Sequence, residues 1–364
     1  MSRFKALASS PFRALAVRNY RFFFFGQIVS VSGTWMQSVA QAWLVLKLSN
    51  NGAILGVVIA LQMLPVMLVG AWGGLVADRF DKRKVLVCTQ VAAAGLALLL
   101  GMLTLTGVVT VWMVAAVAFG LGMVNVVDVP TRQAFVSEMV GREHMVNAIT
   151  LNGVTMNGGR LVGPAVAGIL IATVGMAPCF LINAGSYVAV IVGLLLIRGD
   201  ELFRGRPVVR AKGQLVEGLR YVWSTPALRT PLLMMALVGT FAYELSVTLP
   251  IFTKFTFHSG PEIFGLMTSF MAGGSVLGGL VTAARARPSA RRLGIACAVF
   301  GVMILATAAA PTLPLALLML LGTGAASISR TISFVDSSSP PGVSSPMIKH
   351  SAFRPDASAI ARAI

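Results

Sequence analysis

The chain has 364 residues, of which 56% are apolar and 11% charged, with a mean hydropathy of +0.84. Soluble domains carry about 25% charged residues, so a soluble enzyme, a secreted disulfide scaffold and a disordered protein are all excluded. The net charge of +17 would suit nucleic acid if the basic residues shared one face, but they fall in short bursts between apolar runs, the pattern of a polytopic helical membrane protein.

The first 21 residues carry Arg3, Lys5, Arg13, Arg18 and Arg21 and no acidic residue, and the apolar run behind them lacks a small-residue cleavage site. That combination predicts a first span and not a removed signal peptide. At about 20 residues per span, ten candidate spans lie at roughly 22–46, 53–76, 85–106, 109–129, 150–173, 178–197, 232–252, 262–283, 292–310 and 312–329. With the N-terminus inside, the inner segments hold five Lys/Arg at the start, four at 79–84, two at 132–142, seven at 198–229 and four at 285–292, giving 22, whereas the outer connections hold only Lys47 and Lys254. Positive residues collect on the cytoplasmic side, so the N-terminus is expected in the cytoplasm.

The first span carries a polar stripe. At 100° per residue, Gln27, Ser30, Thr34, Gln37, Ser38 and Gln41 fall within an arc of about 100°. Such a stripe avoids lipid and lines either a cavity, with Trp35 at its edge, or a dry hydrogen-bonded seam between helices. Further along, Asn125 and Asp128 lie near the inner end of the fourth span, Arg160 sits well inside the fifth, and Tyr243 and Glu244 lie inside the seventh. Intramembrane charges face the protein interior or water. Glu244 is the first candidate for a protonatable coupling site and Asp128 the second; an ion pair of Glu244 with Arg160 is the rival role. Asp128 and Arg132 have i,i+4 spacing, but Pro130 between them is expected to break the helix. The candidate cavity residues are Gln27, Thr34, Gln37, Gln41, Asn125 and Tyr243.

The longest charged connection, 199–230, divides residues 1–198, an N-terminal six-helix bundle, from 231–329, an incomplete bundle of four. Gly73-Gly74-Leu75-Val76 ends the second span and recurs as Gly278-Gly279-Leu280-Val281 near the end of the eighth, each ahead of a basic loop, which suggests two related halves. Residues 330–364, with Pro340, Pro341, Pro346, Pro355 and many serines, read as a disordered or aberrant tail from a premature end or an altered reading frame, in place of two further spans.

No Gly-x-x-x-x-Gly-Lys-Ser/Thr phosphate loop is present, and His144, His258 and His350 are far apart. Cys88, Cys179 and Cys297 have no paired spacing and read as reduced structural thiols. No enzymatic chemistry, metal or cofactor is expected.

The loop Gly74-Leu75-Val76-Ala77-Asp78-Arg79-Phe80-Asp81-Lys82-Arg83-Lys84 resembles the signature loop of the major facilitator superfamily, with Asp81 where that family usually has glycine. A carboxylate at a helix end among cations can act as a latch between rocking bundles; a plain positive-charge orientation signal is the alternative. In that family the aspartate faces the start of the eleventh span, so here Asp78 would depend on loop cations or Arg132. Gly159-Arg160-Leu161-Val162-Gly163-Pro164-Ala165-Val166-Ala167-Gly168 resembles the family's antiporter motif, with Ala167 for one glycine and Thr150 for an earlier one; a helix-packing seam accounts for the same small residues. Together with Asp128-Val129-Pro130-Thr131-Arg132 and Asn147-Ala148-Ile149, these motifs are similar to the enterobactin exporter and macrolide efflux branch, over about residues 10–328. The arginine usual in the fourth span of drug antiporters is replaced near Ala116.

The resemblance implies an all-α, two-bundle fold of about ten spans, six plus four, in place of twelve. It implies a secondary active transporter of a bacterial cytoplasmic (inner) membrane that exports a hydrophobic drug-like compound or siderophore by alternating access. Proton antiport, with Glu244 as the protonated site, is a candidate coupling, and the coupling ion stays open. Two other readings stay open: a truncated, non-transporting membrane remnant and an uptake transporter. The partners expected are a small-molecule substrate, the lipid bilayer and protons, with no nucleic acid; oligomeric state is not read from the sequence.

Overall fold

A computed structural model describes residues 12–141, 143–203, 245–284 and 290–337, together with a few single positions between 220 and 233. Ten helices follow in chain order: α1 (Arg18–Ser49), α2 (Gly52–Arg79), α3 (Lys82–Leu105), α4 (Val111–Val140), α5 (Met145–Thr173), α6 (Ala177–Leu195), α7 (Leu245–Ile251), α8 (Pro261–Ala284), α9 (Ala290–Ala308) and α10 (Leu313–Ser337). Each candidate span coincides with one of them, although the seventh is described only from Leu245, so Tyr243 and Glu244 lie outside the described residues. Among the described residues, five helices are long and apolar enough to cross a bilayer. α10 continues through Ser337, eight residues past the apolar run.

The short connections follow from local chemistry. Asn50 closes α1 in the left-handed region at φ 50°, and the Asn51 side chain accepts from the Ala53 N–H at 2.8 Å to start α2. Asp81, at the position where a glycine turn was expected, adopts an ordinary extended conformation (φ −61°, ψ 112°) and caps α3 by accepting from the Lys84 N–H at 3.2 Å. The loop thus exchanges backbone freedom for a side-chain cap.

In the first half α1 packs on α5 and α6, α2 on α4, and α3 on α4 and α6; in the second, α10 packs on α8 and α9. α5 joins the halves by packing against α8. The repeated glycine string marks equivalent places. A methyl group at Gly73 would run into the Val126 carbonyl of α4, and one at Gly278 into the Ala325 backbone of α10. Gly122 and Gly324 make the reciprocal approaches to Gln62 of α2 and Met271 of α8. The α2–α4 and α8–α10 pairs are therefore built alike, six helices apart.

One end of the molecule carries the start of α1 and the basic α2–α3 loop, and is here termed the basic end. The far end is closed between the halves. Lys254 Nζ donates to the Leu46 carbonyl at 2.7 Å, and Ile251 packs where a Gly52 side chain would sit. Val45, Leu46 and Leu55 share one apolar core with Leu249, Phe264 and Met267. A second apolar core, with Tyr20, Phe23, Leu86, Phe135 and Leu194, fills the basic end of the first half.

Candidate functional site

Below the closed far end, α1, α2, α5, α7, α8, α9 and α10 surround a cavity of about 400 Å³. A second cavity of about 260 Å³ adjoins it inside the first half, between α1, α3, α4 and α6. Trp35, Ser38, Gln41 and Gln62 line both. Five of the six polar-stripe residues of α1 line the inner cavity, and the sixth, Gln27, lies behind it.

Burial separates the members of the stripe. Hydroxyls can satisfy themselves on their own helix: Thr34 donates to the Ser30 carbonyl at 2.9 Å and Ser38 to the Thr34 carbonyl at 3.0 Å. The glutamines do not, and each finds a side-chain partner on another helix. Asn183 of α6 donates to Gln37 Oε1 at 2.6 Å, Gln41 donates to Gln62 of α2 at 3.4 Å, and Arg132 of α4 donates to Gln27 Oε1 at 3.1 Å. Tyr187 completes the wall, 3.4 Å from the Thr34 hydroxyl.

Asp128 is 1% exposed and is the most fully engaged charge in the site. Its Oδ1 accepts from Thr89 and from Gln90, each at 2.8 Å, and its Oδ2 pairs with Arg132. The pair forms because α4 remains helical through Pro130, contrary to the expectation of a break. A proline deletes one donor, here the one that would reach the Val126 carbonyl four residues back. That carbonyl lies against Gly73, where α2 comes closest, so tight packing on α4 holds the helix together at its weak point. Arg132 therefore lies within the helix, where it serves Asp128 and Gln27. Asn125, one turn earlier, also lines the inner cavity.

The signature loop is fastened to its own bundle. Lys82 pairs with Glu138 at the end of α4 at 2.7 Å, and Arg83 donates to the Leu195 carbonyl, the last residue of α6, at 2.8 Å. A cation at a helix C-terminus is stabilised by the helix dipole. Arg79 ends α2, Gly74 faces open space, and Asp78 takes part in an interaction of its own.

The antiporter-like motif is a seam in two directions. Side chains at Gly159 or Gly163 would strike the backbone of α1 at Val31–Ser32 and Ser32–Met36. Gly168 instead receives the start of α8 at Pro261–Glu262, and Gly265 of α8 lies against the Pro164 carbonyl. Between these seams Arg160 turns into the larger cavity, its guanidinium 5.4 Å from the centre of the Trp35 ring.

Sequence reasoning missed Thr89, Gln90, Asn183, Tyr187 and Gln62, which hold the stripe and Asp128 in place. Their signal is a polar residue placed singly or in a pair within an otherwise apolar span. Among the described residues no cluster of His, Cys, Asp or Glu could hold a metal ion.

The fold matches solved transporters at low identity. A bacterial homologue of the lysosomal transporter Spinster, in an inward-facing state, superposes with a TM-score of 0.69 at 14% identity, covering 88% of this chain and 74% of that one. A bacterial homologue of ferroportin, also inward-facing, gives 0.64 at 16% identity over 89% of this chain and 85% of that one. In sequence, the staphyloferrin A transporter of Staphylococcus aureus is 24% identical over 72% of this chain, which spans 66% of that relative's length. The multidrug efflux pump Tap of Mycolicibacterium fortuitum is 28% identical over 81% of this chain and 74% of its own. The family model described as transmembrane secretion effector matches residues 9–343, and the chain belongs to that family of multi-pass major facilitator proteins.

Proposed function

We propose that the chain is a secondary active transporter that exports an apolar drug-like compound or a siderophore by alternating access. The observation that supports this most is the cavity between the two halves, sealed at the far end by Lys254, Leu46 and the shared apolar core. A cavity of a few hundred Å³ suits a drug-sized molecule. Rocking of the halves about the α5–α8 seam would open the far end and close the basic end. The glycines of that seam bring the two backbones into close approach, with Ser269 of α8 donating to the Leu161 carbonyl of α5 at 2.9 Å as a side-chain bond across it. Relatives named for drug efflux and for a siderophore support the substrate range.

The basic end is assigned to the cytoplasm of a bacterial inner membrane, on the 22 to 2 division of positive residues. Coupling is assigned to protons, with Glu244 and Asp128 as the exchanging carboxylates. Neutralising Asp128 would release Arg132 from its strongest partner and loosen α4 from α3. The test is uptake into everted vesicles, whose lumen corresponds to the outside of the cell, under an imposed pH gradient, with ethidium as the reporter. Glu244→Gln and Asp128→Asn are expected to abolish gradient-driven movement. Unchanged movement in both variants would remove proton coupling from the reading, and extrusion from the everted vesicles in place of accumulation would reverse its direction.

A further inference from the structure

The larger cavity has an uneven lining. Leu55, Leu249, Phe264, Met271 and Phe300 give it an apolar body. Arg160 is the one charged residue among the described residues that line it. Its Nε is buried without a hydrogen-bond partner, as is that of Arg132, but unlike Arg132, Arg160 has no carboxylate among the described residues within ion-pair distance. Its guanidinium carbon lies over the Trp35 ring, 5.4 Å from the centroid, a contact that does not neutralise the charge. An uncompensated cation inside a membrane protein is costly, and at Arg132 the same chain has met that cost with a carboxylate. At Arg160 no carboxylate among the described residues does so, and the guanidinium faces the cavity.

We infer that Arg160 and Trp35 form an anion-recognising corner of the central cavity, and that its ligands are organic anions with a large aromatic or aliphatic body. This rests on the proposed transport function and narrows its substrate class. The acid, a carboxylate or an equivalent oxyanion, would lie in the plane of the guanidinium, where two N–H donors match two oxygens. The body would extend over Phe264 and Phe300. Ser38, Gln41 and Gln62 stand beside this corner and supply neutral polar groups for the remaining polarity. A phosphate headgroup entering from the bilayer offers the same chemistry and is separated by experiment.

The test uses the full chain in phosphatidylcholine nanodiscs with two probes, pyrenebutyrate and its neutral amide. Wild type is expected to bind the acid at least about tenfold more tightly than the amide, the equivalent of one charge-assisted contact. Arg160→Gln should abolish that preference while retaining the amide affinity, which shows that the cavity is still folded. Arg160→Lys should keep part of the preference. Equal binding of acid and amide to wild type, as an internal pairing of Arg160 with Glu244 would cause, overturns the inference, and so does a preference that survives in Arg160→Gln. Adding phosphatidylglycerol to the nanodiscs should leave the acid affinity unchanged; a tenfold loss would assign the corner to a lipid headgroup and overturn it as a substrate site. Proteoliposome transport separates this inference from the function it rests on. Charge-selective binding with no movement of any probe sinks the transporter and leaves the corner, while movement of ethidium with no acid preference sinks the corner alone.

Discussion

Arg132 and Arg160 occupy the same membrane-embedded interior, on neighbouring helices of one bundle, and their surroundings are opposite. Arg132 has a carboxylate one turn away, and that carboxylate has Thr89 and Gln90 besides. Arg160 has an aromatic face and an open cavity. A charge whose every partner is internal holds helices together, here α1, α3 and α4. A charge with its partner missing has a role that the fold alone does not supply. The difference separates a structural ion pair from a binding group without reference to any relative.

The largest expected effect comes from breaking the satisfied member. Asp128→Ala leaves Arg132 buried and unpaired, and removing one partner of such a pair costs about 3–5 kcal/mol. The detergent-solubilised variant is predicted to elute mainly as aggregate on size exclusion. The double variant Asp128→Leu/Arg132→Leu removes the stranded charge with it and should recover most of the monodisperse peak. If Asp128→Ala remained as stable as wild type, the network would not be holding the helices.

Packing gives the next effect. Gly163→Leu places a side chain into the Ser32 carbonyl and Trp35, and overpacking of this kind costs about 1–3 kcal/mol. Gly158, five residues earlier, faces open space, so Gly158→Ala should raise the thermal midpoint slightly, because alanine is about 1 kcal/mol better than glycine in a helix. A similar loss in both variants would show that the motif requires glycine for flexibility and not for close approach. Smaller still is the α3 cap: Asp81→Ala should cost about 1 kcal/mol, whereas Asp81→Gly costs only a few tenths.

The place of the helices among the described residues was legible because an apolar run of 20 residues has one stable form in lipid. The stripe of α1 was legible for the same reason, since six polar residues at helical spacing have no other use. The Asp128–Arg132 pair was not. Local rules set Pro130 against it, and the decisive fact, that Gly73 of α2 packs on the carbonyl which Pro130 deprives of its donor, joins residues 57 positions apart. The partners of the stripe were hidden likewise: Gln37 and Asn183 are 146 residues apart, and nothing local links them. Arg160 was visible as an intramembrane charge, but its want of an internal partner among the described residues is a property of the packed structure alone.

The smallest expected change in stability is the one that sharpens the comparison most. Arg160→Gln gives up a cation–π contact of about 0.5–2 kcal/mol and is relieved of an intramembrane charge that costs up to about 3 kcal/mol. The two oppose each other, so its thermal midpoint should match wild type or exceed it, measured beside Asp128→Ala in the same detergent. A loss as large as that of Asp128→Ala would mean that Arg160 has an internal partner after all and belongs to the scaffold. A neutral result, with the acid preference gone, would identify a residue retained at no benefit to the fold, which is what a binding group looks like when its ligand is away.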